Sequence, residues 1–349
     1  MSSTIKVAIA TPLEPDLRHL ITDVDPSVQL LVDDALLPPQ RFPGDHDGDP
    51  NFVRTAEQQA AFDELLSRAD VFYGIPDVNP ALLASSVRAN PGLRWVQTMA
   101  AGGGSQVKAA GLTGEELDRV VFTTSAGVHG GTLAEFAMFG LLAGAKDLPR
   151  LLTQQADRQW TGRWAMKQVH EMTVLVVGLG GIGKETARLA KALGAYVLGT
   201  KRQPEPVEHV DEVHPTAELA DLVGRADAIV FTLPGTAATE GLYGEDLVAA
   251  TKPGAIIVNV GRGTVIDEPS LIKGLDSGHL GSAFLDVFAV EPLPTESPLW
   301  GMSQVVVAPH TAALSPHEDR RIADLFATNL RHLIDREELL NVVDTRHFY

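Results

Sequence analysis

Val174-Leu175-Val176-Val177-Gly178-Leu179-Gly180-Gly181-Ile182-Gly183 opens as an uncharged, β-branched run and closes on the spacing G-x-G-x-x-G. Lys184–Leu193 continues in a helical pattern without a break. Strand, glycine turn and helix in that order suit the pyrophosphate of a dinucleotide. Gly178 makes the tight turn, Gly180 lets the backbone approach the anion, and Gly183 lets the helix pack closely on the strand. The helix start at Gly181-Ile182 turns free amides and a positive dipole end toward the phosphates. The spacing alone is a weak signal. Its position after a strand and before a helix, with another strand ending about twenty residues later, makes the dinucleotide reading specific.

Downstream, strand-like segments Tyr196–Gly199, Ala228–Thr232, Ala255–Val260, Ser282–Val287 and Val305–Ala308 alternate with helical segments near Ile182–Leu193, Thr216–Val223, Glu245–Ala249 and Pro269–Ser277. That alternation predicts an α/β fold with a doubly wound parallel sheet. Upstream, runs at Ile5–Ala10, Val28–Val32, Val71–Ile75, Leu93–Thr98 and Val120–Thr124 predict a second parallel sheet. Helix-compatible stretches at Leu133–Lys146 and Arg150–Arg158 lie between the two series. Pro38–Asn51 is so dense in Pro, Gly and Asp that an exposed loop is expected. From Ser315 to Leu340 the apolar positions Ile322, Leu325, Phe326, Leu330 and Leu333 keep helical spacing. A chain of 349 residues is longer than one core usually serves, so two domains are expected.

Composition narrows the partners. Lys and Arg number 28 against 45 Asp and Glu, a net charge of −17 that repels phosphate backbones and anionic lipid. No nucleic-acid or membrane partner is expected. The absence of cysteine removes disulfides and thiolate chemistry, so redox work would need a cofactor. The first thirty residues lack a signal-peptide core, and the longest apolar run, Phe136–Ala145, is about half of the ~20 residues that a membrane span needs. A cytoplasmic location is expected.

Cofactor choice is read at the end of the strand after the glycines. An NAD site places an acid there for the ribose hydroxyls, whereas this chain has Gly199-Thr200-Lys201-Arg202. Two cations and a hydroxyl suit a 2′-phosphate, because Lys and Arg make charge-assisted bonds to phosphate oxygens. NADP(H) is therefore the preferred cofactor, with NAD(H) also accommodated. The alternative reading is a solvated pair of strand-end cations.

Three further segments put polar residues at strand ends, where open α/β sheets bind ligands: Asn259-Val260-Gly261-Arg262-Gly263, Leu285-Asp286-Val287-Phe288-Ala289-Val290-Glu291-Pro292 and Ala308-Pro309-His310-Thr311. With the glycine fingerprint, they resemble the D-isomer-specific 2-hydroxyacid dehydrogenases, in particular the glyoxylate/hydroxypyruvate reductase-like ones. Leu93–Gln97 leading into Ala101-Gly102-Gly103, Gly127-Val128-His129 with Ala134-Glu135-Phe136, Thr232–Thr236 with Thr239, and Leu293-Pro294 with Pro298–Trp300 extend the resemblance over nearly the whole chain.

The resemblance implies a catalytic set of Arg262, Glu291 and His310. Arginine's planar fork would clamp the carbonyl and carboxylate of a 2-oxo acid; histidine would supply the proton, with Glu291 orienting the ring and favouring its imidazolium. It also implies cofactor contacts from Leu233, Pro234, Thr239, Val260, Gly261, Arg262, Asp286 and His310, with Asp286 near the nicotinamide. Substrate contacts would come from Ala101, Gly102, Gly103, Arg262 and His310. Amides in the small-residue loop Met99–Ser105 suit a carboxylate. Many relatives carry a β-branched residue and an acid where this chain has Gly103-Gly104, which implies a more mobile loop and a different substrate preference.

The implied architecture inserts a Rossmann cofactor domain, 127–310, into a flavodoxin-like substrate domain, 1–126 with 311–349, with the active site in the cleft and a dimer interface on Leu133–Lys146. The implied reaction is hydride transfer between NADP(H) and a small 2-oxo acid or D-2-hydroxy acid. A phosphonate-type or phosphoglycerate-type dehydrogenase is a second enzymatic reading. A corepressor-like, nucleotide-sensing interaction protein on the same fold is the alternative from another class. His317, in the expected first turn of the last helix, is the rival proton donor to His310. His209 and His214, flanking Asp211 and Glu212, offer metal-ligand types, but strand alternation scatters them and no metal is expected.

Overall fold

The computed structural model describes residues 4–348; Met1–Ser3 and Tyr349, at the ends of the expected outer domain, lie outside the described residues. The chain forms two units. One runs to His129 and resumes at Leu314, and the other is Gly130–Ala313.

The first unit holds β1 (Ile5–Ile9), β2 (Val28–Leu31), β3 (Val71–Tyr73), β4 (Trp95–Gln97) and β5 (Val121–Thr123). They pair in parallel in the order β2-β1-β3-β4-β5, the flavodoxin-like arrangement. Strands covered on both faces need continuous apolar runs, and Val71, Phe72 and Tyr73 are all fully buried. The last helix, Glu318–Asp335, returns to this unit. Its Phe326 stacks on Trp95 at 4.6 Å between ring centroids and meets Tyr73 edge-on at 5.1 Å.

That helix ends earlier than its apolar spacing predicts. Arg336 adopts φ 60° and stops it, after which Leu340 N donates to Asn329 Oδ1 and Val342 bridges back to Thr123. Pro38–Asn51 is irregular, as its composition predicts, but only partly exposed: Arg41, Phe42 and Pro43 are exposed while Gly44, Asp45 and Gly48 are buried. Asp45 is 2% exposed and holds Arg41, while Gly44 N and Gln40 Nε2 donate to Asp319 Oδ2.

The second unit holds β6 (Thr173–Val177), β7 (Tyr196–Lys201), β8 (Glu212–Pro215), β9 (Ala228–Phe231), β10 (Ala255–Asn259), β11 (Leu280–Leu285) and β12 (Val305–Val307). Their order, β12-β11-β10-β9-β6-β7-β8, is that of a dinucleotide-binding sheet with one added strand. β6 pairs with β7 on one side and β9 on the other, so the strand order reverses beside the fingerprint. Ligands bind at such a switch point. β7 runs two residues past its predicted end because Thr200 and Lys201 pair with β8. No helix among the described residues is long and apolar enough to cross a membrane.

Candidate active site

At the switch point Gly178 takes φ 103° and the helix Gly181–Ala192 begins with Gly180 as its cap. A Cβ on Gly183 would lie 1.9 Å from the Gly178 carbonyl oxygen, so only glycine lets the helix seat here. At Gly180 and Gly181 a Cβ would meet nothing within 4 Å. The turn is therefore tight on its protein side and open where a phosphate would approach, which fits a dinucleotide. Ile182 follows in the first helical turn, half-buried.

A cavity of about 520 Å³ adjoins this turn, lined by Gly178, Leu179, Gly180, Thr200, Lys201, Arg202, Gln203, Thr216 and Leu233. Thr200 is fully buried; its Oγ1 accepts from Gly178 N, so the hydroxyl braces the glycine turn. Lys201 pairs with Glu205, and exposed Arg202 lines the same wall. Leu233 packs beside Gly178, and Thr239 Oγ1 donates to the Pro234 carbonyl, closing the turn after β9.

The loops after β10, β11 and β12 sit side by side because their strands do. After β10, Asn259 Oδ1 accepts from Gly261 N and Asn259 Nδ2 donates to the Arg262 carbonyl, so a buried amide shapes the turn that presents exposed Arg262. Arg262 Nη1 donates to its neighbour's carbonyl at Gly261. Val260 is buried beneath. Gly263 lies so close to the next loop that a Cβ would stand 1.8 Å from the Phe288 carbonyl carbon. That close approach sets the Arg262 turn against the segment leading to Glu291.

After β11, Asp286 is fully buried, and its Oδ1 accepts from Thr311 N and Ala312 N. Burial raises its carboxyl above the usual carboxylate range, with those amides opposing. Glu291 Oε1 accepts from Phe288 N at 2.9 Å, and Glu291 Oε2 accepts from His310 Nδ1 at 2.7 Å. A carboxylate can only accept, so the Nδ1 proton is spoken for and Nε2 is the ring's other functional nitrogen.

Glu291 and His310 are thus bonded, with Arg262 and Asp286 on neighbouring strand ends; no bond joins Arg262 to either among the described residues. His317 precedes the last helix as its cap, exposed, and lies in the first unit. The Ala101-Gly102-Gly103 segment is also in the first unit. Gly103 N donates to the Ala100 carbonyl and a helix starts at Gly104, so the segment forms a hydrogen-bonded turn. His214 is held between Glu212 and Glu218, whose carboxylates raise its pKa, and His209 lies outside β8 at φ 66°. Sequence reasoning included Asn259 and Gly263 in the Arg262 segment but not their part in shaping its turn, and it missed Glu205, which pairs with Lys201. An Asx-like signal in Asn259-Val260-Gly261 was present; nothing local pointed to the close approach at Gly263.

Residues 138–312 match the family described as D-isomer specific 2-hydroxyacid dehydrogenase, NAD binding domain. The D-3-phosphoglycerate dehydrogenase of Mycobacterium tuberculosis is 37% identical over 213 residues, which is 61% of this chain and 40% of that protein. The matched stretch therefore spans less than half of that relative's length. A D-isomer specific 2-hydroxyacid dehydrogenase from Xanthobacter autotrophicus Py2, solved in complex with NADPH and MES, is similar with a TM-score of 0.78 and 28% identity, over 99% of this chain and 100% of that one. An NADPH-dependent glyoxylate/hydroxypyruvate reductase from Sinorhizobium meliloti, in complex with NADP and sulfate, has a TM-score of 0.76 and 25% identity over 99% and 100%. With half of its residues in that one match and both sheets in the corresponding order, the chain belongs to the D-isomer specific 2-hydroxyacid dehydrogenase family.

Proposed function

We propose that the chain is an NADP(H)-dependent oxidoreductase that interconverts a small 2-oxo acid and its D-2-hydroxy acid, with glyoxylate and hydroxypyruvate as the first candidates. The observation that carries it is the His310 Nδ1 to Glu291 Oε2 bond at the end of the sheet that also bears the glycine fingerprint. When bound, the reduced nicotinamide supplies a hydride to C2 of the oxo acid. His310 gives its Nε2 proton to the carbonyl oxygen as that oxygen gains charge, and Glu291 orients the ring through its bond to Nδ1. Arg262 holds the carbonyl and carboxylate oxygens with its fork. Asp286, fixed by two amides, anchors the segment that carries His310. Ala101, Gly102 and Gly103 are proposed to contact the substrate carboxylate.

The cavity beside Lys201 and Arg202 supports NADP(H) over NAD(H), and both solved relatives above carry NADP or NADPH. An apolar groove on helices Gly130–Ala145 and Gly181–Ala192, with Phe139 and Leu193 each about two-fifths exposed, supports a homodimer through this face.

The test is NADPH oxidation with a panel of 2-oxo acids. Turnover of glyoxylate or hydroxypyruvate is expected, and His310→Ala should lower kcat by ~10²-fold or more with dinucleotide affinity nearly unchanged. Tight NADPH binding with no turnover of any oxo acid would favour a nucleotide sensor instead.

A further inference from the structure

After β7 and a single residue, Arg202, comes Gln203-Pro204-Glu205-Pro206, a segment that cannot wander freely. Pro204 fixes its own φ, and Pro206 confines Glu205 to extended backbone. From this stiff segment the Glu205 carboxylate reaches the Lys201 ammonium. The Lys201 hydrogen bond, and more weakly the charge of Lys184 on the fingerprint helix, hold the Glu205 carboxyl below the usual carboxylate range. The two partners differ in burial. Lys201's side chain is 28% exposed and forms part of the cavity wall, whereas Glu205's is 66% exposed. An anion supplied by the chain itself already stands on the cation that a 2′-phosphate would need.

We propose that Glu205 is a cofactor-specificity residue: an internal anion that neutralises Lys201 and that the 2′-phosphate of NADPH displaces. The inference rests on the dinucleotide reading of the cavity proposed above. A carboxylate and a phosphate dianion crowding one ammonium repel each other, so Glu205 swings into solvent when NADPH binds. Its exposure makes that movement easy, since exposed ion pairs bias equilibria by only about two- to fivefold. When NADH binds, Glu205 stays on Lys201, so that ammonium is not left facing neutral ribose hydroxyls. Glu205 therefore narrows the preference for NADPH over NADH that Lys201 and Arg202 create.

Calorimetric binding tests this without turnover, using NADPH, NADH and the fragments adenosine 2′,5′-bisphosphate and AMP. Glu205→Gln is expected to tighten NADPH and the bisphosphate by roughly three- to tenfold, combining the lost pair with the lost repulsion, and to leave NADH and AMP within about twofold. Lys201→Ala should weaken NADPH and remove most of the effect of Glu205→Gln in the double variant. Unchanged or weaker NADPH binding in Glu205→Gln, or an undiminished gain in the Lys201→Ala background, would overturn the proposal. Failure of the wild-type chain to bind either dinucleotide would instead overturn the cofactor reading beneath it.

Discussion

His310 sits at φ 52°, a left-handed conformation that costs a residue with a Cβ roughly 1–2 kcal/mol. The turn tolerates it because His310 N donates to the Asp286 carbonyl while the next two amides bind the Asp286 carboxylate. Strain of this kind persists where the surroundings over-determine the backbone, and here it aims a ring whose Nδ1 is already committed to Glu291. Arg262 is placed differently, by an amide clamp on its own turn, and its guanidinium remains exposed. Arg262→Lys is accordingly expected to raise KM for the oxo acid and lower kcat, by ~10-fold or more in kcat/KM, because an ammonium cannot span two oxygens in a fork. Steady-state kinetics at saturating NADPH would check it; a change confined to dinucleotide affinity would make Arg262 a cofactor residue.

Elements were legible where one strand or helix reports its own environment. Buried parallel strands read as continuous apolar runs, and β3, β6 and β10 lie where those runs predicted. What stayed hidden depends on residues far apart in sequence. His129, singled out for its motif, donates to Glu318 Oε1 at 2.9 Å across 189 positions. His46, from the stretch expected to be exposed, lies within 4 Å of both Glu318 and Asp319. No composition rule sees such a pairing. It has an energetic signature: burial alone would raise the Glu318 carboxyl, yet the two imidazoles bring it from 4.5 to about 2. Because the folded value lies below the unfolded one, the contribution is fully present above about pH 4.5 and is lost as pH falls toward 2. Its size is on the order of 3 kcal/mol. Glu318→Gln should therefore lower the urea midpoint at about pH 7 and matter progressively less as pH falls toward 2, where the wild type takes up the proton too. Equal destabilisation at both pH values would assign the loss to packing alone.

At the scale of the whole molecule, the net charge of −17 keeps copies apart except where an apolar face outweighs it. Phe139, Leu142 and Leu193 offer such a face on the second unit. If the proposed dimer forms through this face, Phe139→Glu with Leu142→Lys is expected to turn it into a monomer by light scattering, while melting stays cooperative. A wild-type chain that is monomeric at micromolar concentration would remove that assignment. The first unit's architecture also has a consequence in time. Its Trp95 is covered by Phe326, yet the ribosome must first deliver Gly130–Ala313, which is 313 − 130 + 1 = 184 residues. At roughly 5–20 residues per second that takes on the order of 10–40 s. During that interval the nascent first unit has its five strand segments but lacks the helix that closes it, whereas the second unit emerges as one continuous segment. A chain stopped at Ala313 should leave Gly130–Ala313 resistant to protease while the preceding residues are digested. The segment made first would be the last to become native.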